Sequence, residues 1–307
     1  MPMTPASKLK IGVAGWSYDD WRDAVYRIPV ATSQPDLFKP PSADISYEYP
    51  DDELAYLARY VDMIEVNSSF YRIPARRAVA TWSKRVDFKP EFFFTAKLNH
   101  QFTHDFAQDT KLAGEFLTAF EPLREAGCLD ALLAQFRYDF ADSVASRKHL
   151  EWIRSEFGEV PLVVELRHRS WQETSAVRFL DGLGVTVANL DYPAARDSFT
   201  AQLPVTSGER GYLRLHGRNR TAWFSSDVPP YETYNYDYSD AEIGGIAERS
   251  RGIMKNVKQL TIVANNHYRG KAVSAALRLK SEMQDQKLPV PPALLETYPQ
   301  LQAIAKK

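Results

Sequence analysis

The sequence is poor in the features that announce many protein classes. It has one cysteine, Cys128, in 307 residues, so no disulfide can form within the chain, which suits a reducing compartment. No charged activator adjoins that thiol in Glu125-Ala126-Gly127-Cys128-Leu129, and it reads as a small buried hydrophobe. No apolar run nears the roughly 18 residues of a membrane helix. The start, Met1-Pro2-Met3-Thr4-Pro5, has no basic segment followed by an apolar one. The expectation is a soluble, cytoplasmic protein with no membrane partner. Neither sign of charge is in excess: 38 Lys and Arg against 39 Asp and Glu give a net charge of −1. A general polyanion binder is usually basic, so any nucleic-acid contact has to rest on a local patch. Catalytic signatures are missing too. There is no Gly-x-Gly-x-x-Gly opening a helix, no P-loop, no Gly-x-Ser-x-Gly elbow and no His-Glu-x-x-His, so no nucleotide cofactor is implied.

What is present is a core-forming composition, 44% hydrophobic and 25% charged, which excludes disorder, collagen and coiled coil. Short β-rich runs recur at Ile11–Gly15, Met63–Asn67, Phe92–Lys97, Ala131–Phe136, Leu162–Arg167, Val185–Asp191, Tyr212–His216 and Leu260–Asn265. Most are separated by stretches of helical periodicity, at 52–61, 76–86, 114–123, 146–157, 172–183, 239–255 and 271–284. Strands alternating with helices mean βαβ units and a parallel sheet. Eight such units in one chain predict an α/β fold of the (β/α)8 TIM-barrel type, a single domain over 1–307, with a doubly wound open sheet as the alternative. Two long loops interrupt the rhythm. One is Pro-rich (28–50) and stands before the first helix; the other, Pro229–Tyr238, carries four tyrosines. A C-terminal extension, 288–307, reads as a short packed helix or a mobile tail.

Alternate residues of a strand face opposite sides. One row of nearly every run begins apolar and turns polar at the C-terminal end: Met63, Glu65, Asn67; Phe93, Thr95, Lys97; Leu133, Gln135; Val163, Glu165, Arg167; Val187, Asn189, Asp191; Tyr212, Arg214, His216; Thr261, Val263, Asn265. Burying that many charges costs several kcal/mol unless each is paired or ligand-bound. The C-terminal mouth of a barrel is also where its active sites are built.

The same residues carry a resemblance. Gly15-Trp16-Ser17-Tyr18 with Trp21, Glu65-Val66-Asn67-Ser68-Ser69-Phe70-Tyr71, Lys97 followed by Thr103-His104, Gln135, Glu165-Leu166-Arg167-His168 with Ser170-Trp171, Arg214-Leu215-His216-Gly217-Arg218 and Asn265-Asn266 together resemble the DUF72 (YecE-like) family along the whole chain. The resemblance implies a TIM barrel and no settled biochemical activity. The chain departs from the family's pattern at Gln135-Phe136-Arg137-Tyr138, which lacks a following proline, at Ser274-Ala275-Ala276, and in the length of the 28–50 insertion.

The leading expectation is an enzyme of hydrolase or lyase type acting on an anionic, phosphorylated or carboxylated small molecule. Glu65 and Glu165 would serve as acid and base, and His216 as a proton shuttle near neutral pH. Lys97, Arg167 and Arg214 would grip the anion, and Trp16, Asn67, Tyr71, Gln135, Asp191 and Asn265 would complete the binding site. A second reading adds a metal on Glu165, Asp191 and His216, disfavoured by three cations at the same mouth. His100 and His104, in an expected loop, are weaker candidates. A third reading is a nucleic-acid-binding or other non-catalytic barrel, in which Trp16, Phe70, Tyr71, Trp171, Trp223, Phe224 and the tyrosines at 231, 234, 236 and 238, beside Arg218 and Arg220, stack bases. The two glutamates stand on the second and fifth runs, which makes a glycosidase-like pair doubtful. Neither Ser17 nor Ser170 has a recognisable base beside it.

Overall fold

The structure, a computed structural model, describes residues 8–30, 46–200, 209–225 and 227–306. In chain order its strands are β1 (Lys8–Ala14), β2 (Ile28–Val30), β3 (Ser46–Glu48), β4 (Met63–Val66), β5 (Phe93–Lys97), β6 (Leu129–Gln135), β7 (Leu162–Glu165), β8 (Thr186–Val187), β9 (Asn189–Asp191), β10 (Arg210–Leu215) and β11 (Gln259–Ala264). The helices that matter here are α1 (Trp21–Ala24), α2 (Glu53–Ala58), α3 (Arg76–Arg85), α4 (His100–Thr103), α5 (Thr110–Glu125), α6 (Val144–Phe157), α7 (Thr174–Leu183), α8 (Arg220–Trp223), α9 (Asp240–Met254), α10 (Lys271–Gln284) and α11 (Pro292–Thr297).

All pairs of the main sheet are parallel, in the order β8-β7-β6-β5-β4-β1-β11-β10-β9. The two edge strands are one run of chain broken only at Ala188. Its N–H donates to the Val164 carbonyl at 2.9 Å, and the halves on either side pair with β7 and β10. The sheet therefore closes on itself, a TIM barrel in a single domain rather than an open doubly wound sheet.

The alternation expected from the sequence sorts the side chains. Met63, Phe93, Leu133, Val163, Tyr212 and Val263 fill the interior together with Ala14, Ala131, Ala188 and Leu190. The opposite rows, including Ile64, Phe94, Leu132, Val164 and Leu213, pack under the helices in a larger second core. The sixth run is the exception. Ala188 and Leu190 face inward, so Val187, Asn189 and Asp191 lie one residue out of the expected register and face the helices. A one-residue slip exchanges the two faces of a strand; here Ala188 and Leu190 take the interior, while Asn189 and Asp191 find partners in Arg249 and Arg218 on the other face. Gly12 sits where β1 and β4 approach: a Cβ there would stand 1.9 Å from the Met63 carbonyl oxygen.

Side-chain caps start several helices, among them Asp52 on α2, Asp109 on α5, Ser143 on α6 and a reciprocal Ser239–Glu242 box on α9. The 28–50 insertion follows a short helix, α1, and its ends are not loop. They pair as the antiparallel ribbon β2–β3, while 31–45 lie outside the described residues. The C-terminal extension packs, with Leu294 and Leu301 fully buried. Cys128 is half-buried, and burial raises its thiol pKa. No helix among the described residues is long and apolar enough to cross a membrane.

Candidate functional site

At the C-terminal end of the barrel, Arg214 on β10 spans the interior. One Nη donates to Glu65 Oε1 at the end of β4 (2.6 Å), and the other to Glu165 Oε2 at the end of β7 (2.5 Å) and to Gln135 Oε1 on β6 (3.2 Å). The remaining oxygens are also taken. Tyr212 donates its hydroxyl to Glu65 Oε2 at 2.8 Å, and Arg167 makes a two-pronged contact with Glu165 Oε1 at 2.7 and 2.9 Å. The two glutamates, expected on different sides of the ring, thus meet through one planar guanidinium. Glu65, Glu165, Arg214 and His216 are closed to solvent. Burial pushes the Glu165 carboxyl up, yet Arg214, His216 and Arg167 together outweigh it and hold the group well below the usual carboxylate range.

His216 is held between the Asn265 amide (3.1 Å to Nδ1) and Glu165 Oε1 (3.3 Å from Nε2). An acceptor role for Nδ1 leaves the proton on Nε2, directed at the carboxylate. Burial outweighs the pull of Glu165 and pushes the imidazole down to about 4, which favours the neutral ring near pH 7. A fully buried ring next to two guanidinium groups is costly to charge.

Lys97, at the end of β5, differs from the other ions. It is 7% exposed, its Nζ lies 3.7 Å from the centroid of the Phe70 ring, and that nitrogen has no hydrogen bond or ion pair among the described residues. Burial, and next the charge of Arg214, push its ammonium down to about 7 against the pull of Glu165 and Glu65. His104, just after α4, is pushed to about 4 by burial and by the charges of Lys97 and Arg167.

An aromatic wall surrounds this group. Tyr18 stacks on His267 (4.6 Å), His267 meets Tyr234 (5.0 Å), and Trp223 touches Tyr234, His216 and Tyr192. Arg167 lies against the Trp223 ring at 5.3 Å. The Pro229–Tyr238 segment is an anchored cap, not a floppy insertion. The Tyr238 hydroxyl donates to Asp191 and accepts the N–H of Gly217, whose φ of +87° favours glycine, and Asn266 Nδ2 donates to the Tyr236 carbonyl.

Of the residues expected at the site, Glu65, Lys97, Gln135, Glu165, Arg167, Arg214, His216 and Asn265 come together. Asn67 lies half-buried beside Tyr18, its Oδ1 without a partner, and Tyr71 stands on the rim, 74% exposed and edge-on to Phe70. Two do not join them. Asp191 faces the helix layer, where Arg218 binds both its oxygens at 2.7 and 2.9 Å. Trp16 packs edge-on against Trp82 of α3. The expected metal triad of Glu165, Asp191 and His216 is therefore not assembled, and among the described residues no three His, Cys, Asp or Glu cluster as metal ligands. His100 opens the short helix α4 and His104 caps its end, rather than both lying in a loop, and they bond to Asp105 and Thr103.

Trp171 is wholly buried and donates to the Phe140 carbonyl, so it is core and not a base-stacking surface. Ser170 does have a ring nitrogen at 2.8 Å, that of His168, but the same nitrogen also accepts the Ser170 N–H and caps a short helical turn. Residues not assigned a role from the sequence are Tyr18, Phe70 as the platform under Lys97, Tyr192 and Tyr212. An inward tyrosine two positions before Arg214 was the available signal for the last.

The comparisons with known proteins agree with this architecture. The chain is 24% identical over 279 residues to the UPF0759 protein YunF of Bacillus subtilis (strain 168), covering 86% of this chain and 90% of that protein. It superposes on a DUF72 family protein of Thermotoga maritima with a TM-score of 0.72 at 25% identity, covering 90% and 99% of the two chains. For a DUF72 family protein of Enterococcus faecalis the values are 0.73 and 22%, covering 90% and 95%. A family model described as "Protein of unknown function DUF72" matches residues 10–299, and the chain belongs to that family.

Proposed function

We propose that the barrel mouth binds the acidic group of a small anionic molecule, with Lys97, Arg167 and Gln135 as its contacts, and that the site is enzymatic. The observation that carries this reading is the state of Lys97. Three cations (Lys97, Arg167, Arg214) face two carboxylates (Glu65, Glu165) whose four oxygens already have partners, and Lys97 is the cation left over. A buried ammonium without a counter-ion is costly, and an incoming carboxylate or phosphate would supply one. Glu65 and Glu165 then act less as proton carriers than as struts that fix Arg214 and Arg167. The hydrolase or lyase chemistry expected from the sequence fits a water-poor site at the strand ends.

The test is calorimetric titration with inorganic phosphate and with pyruvate, comparing the native chain and Lys97→Met. Binding by the native chain, weakened at least tenfold in the variant (about 1.4 kcal/mol), is the expected outcome. Equal binding by both would overturn the reading. A nucleic-acid reading keeps some support from the exposed rim, where Tyr71, Phe224 and Tyr231 stand out and Arg220 lies 5.3 Å from the Phe224 ring. It requires salt-dependent oligonucleotide binding, insensitive to Lys97→Met.

A further inference from the structure

We infer that Lys97 is an imine-forming lysine, and that the ligand class is a small acid carrying an aldehyde or ketone carbonyl, such as a 2-oxo acid. The inference rests on the anion-binding reading above and names the chemistry of that same site. A lysine kept for structure is either ion-paired or extends its ammonium into water. Lys97 has no ion pair among the described residues and is only 7% exposed: it ends a buried strand, and its nitrogen lies over the Phe70 face. Desolvation beside other cations favours the neutral amine, which is the nucleophilic form. The groups that bear on it are Glu65 from β4, Glu165 at the end of β7 and Arg167 beyond it, Arg214 from β10 and His104 after α4, with the Phe70 ring beneath. Arg214 and Arg167 hold the two carboxylates, so neither glutamate fixes the lysine as an ammonium by direct contact. The amine held at about 7 is consistent with this placement.

The step balances. The amine lone pair attacks the carbonyl carbon and forms a C–N bond. The C–O bond then breaks, and the oxygen leaves as water with both amine protons. Uptake of one proton gives an iminium, which carries the same charge as the ammonium it replaces, so the charge balance of the mouth is preserved while Arg167 and Gln135 hold the acid group. No oxidant or reductant is needed.

The experiment treats the full chain at pH 7 with glyoxylate and sodium cyanoborohydride, followed by peptide mass mapping. An ordinary lysine with a pKa near 10.4 has roughly a thousandfold smaller free-amine fraction at this pH than one at about 7. The expected result is a single carboxymethyl adduct on Lys97, formed at least tenfold faster than on any surface lysine, slowed by inorganic phosphate and absent in Lys97→Arg. Mapping the native chain decides the matter even if that variant fails to fold. No adduct, or adducts scattered over surface lysines with Lys97 unmodified, overturns the inference. If phosphate still binds in that case, only the imine falls; if phosphate does not bind either, the anion site falls with it.

Discussion

The two ends of the barrel treat buried charge in opposite ways. At the N-terminal end, Asp62 receives Lys280 at 2.6 Å, Lys89 at 3.7 Å and the N–H of Ile11 at 3.2 Å. Nearby, Asp130 holds Arg210 at 2.6 Å and Gln259 at 3.0 Å. Each buried charge there has a direct opposite partner, the arrangement expected of a scaffold. At the C-terminal end the same device fixes Arg214, Glu65 and Glu165, but Lys97 is added on top with no ion pair among the described residues. A fold gains nothing from one unpartnered cation, whereas a ligand does. The comparison separates the charges that hold the barrel from the one available to something else.

The sharpest way to break that comparison is Glu165→Gln. Removing the carboxylate leaves Arg167 and one arm of Arg214 without an ionic partner, and unfolding in urea should show a loss of about 3–5 kcal/mol. A loss below 1 kcal/mol would mean that the network is not the support it looks to be. Next comes a pair of lysine deletions. Lys280→Met should cost about 1–3 kcal/mol by leaving Asp62 poorly matched, while Lys97→Met should leave the melting temperature unchanged or higher. Comparable losses in both variants would place Lys97 with the scaffold.

The pH dependence of stability sharpens the same contrast. Lys97 titrates near 7 in the folded chain against about 10.4 when unfolded, so the unfolded state binds more protons between those values. Native stability should therefore gain a rising contribution from pH 7 to pH 10 that Lys97→Met lacks, read from urea midpoints; parallel curves would refute it. Glu165 acts with the same sign in the acid range, because its folded pKa is also lowered. Its stabilisation is present above the ordinary carboxylate pKa and is lost as pH falls through its lower folded value. The smallest expected effect is that of Tyr238→Phe, which removes the bonds to Asp191 and Gly217 and should cost about 1–2 kcal/mol. Added mobility of the cap should appear as faster amide exchange over 229–238.

Much of the site was readable because strand alternation is local. Glu65, Lys97, Gln135, Glu165, Arg214 and Asn265 followed from counting by two along apolar runs, and the structure joins them. Counting failed at Asp191, where Ala188 and Leu190 take the interior and Arg218, from beyond β10, pairs with the carboxylate on the other face. It could not assign titration behaviour to His216, because what lowers its pKa is burial, and after it the charges of Arg214 on β10 and Arg167 beyond β7, all set by the closed barrel. Nor did spacing show that Phe70, in a helical turn after β4, lies under the Lys97 nitrogen.

The sequence by itself determined the barrel, through eight apolar runs separated by amphipathic helices, and placed charged residues at one end of those runs. Only the tertiary structure decided which charges neutralise one another. Pairing depends on distances across the ring between residues as far apart as Glu65 and Arg214, and closure of the sheet sets those distances. That closure gives Arg214 two carboxylates and, among the described residues, leaves the Lys97 ammonium against an aromatic face with no ion pair.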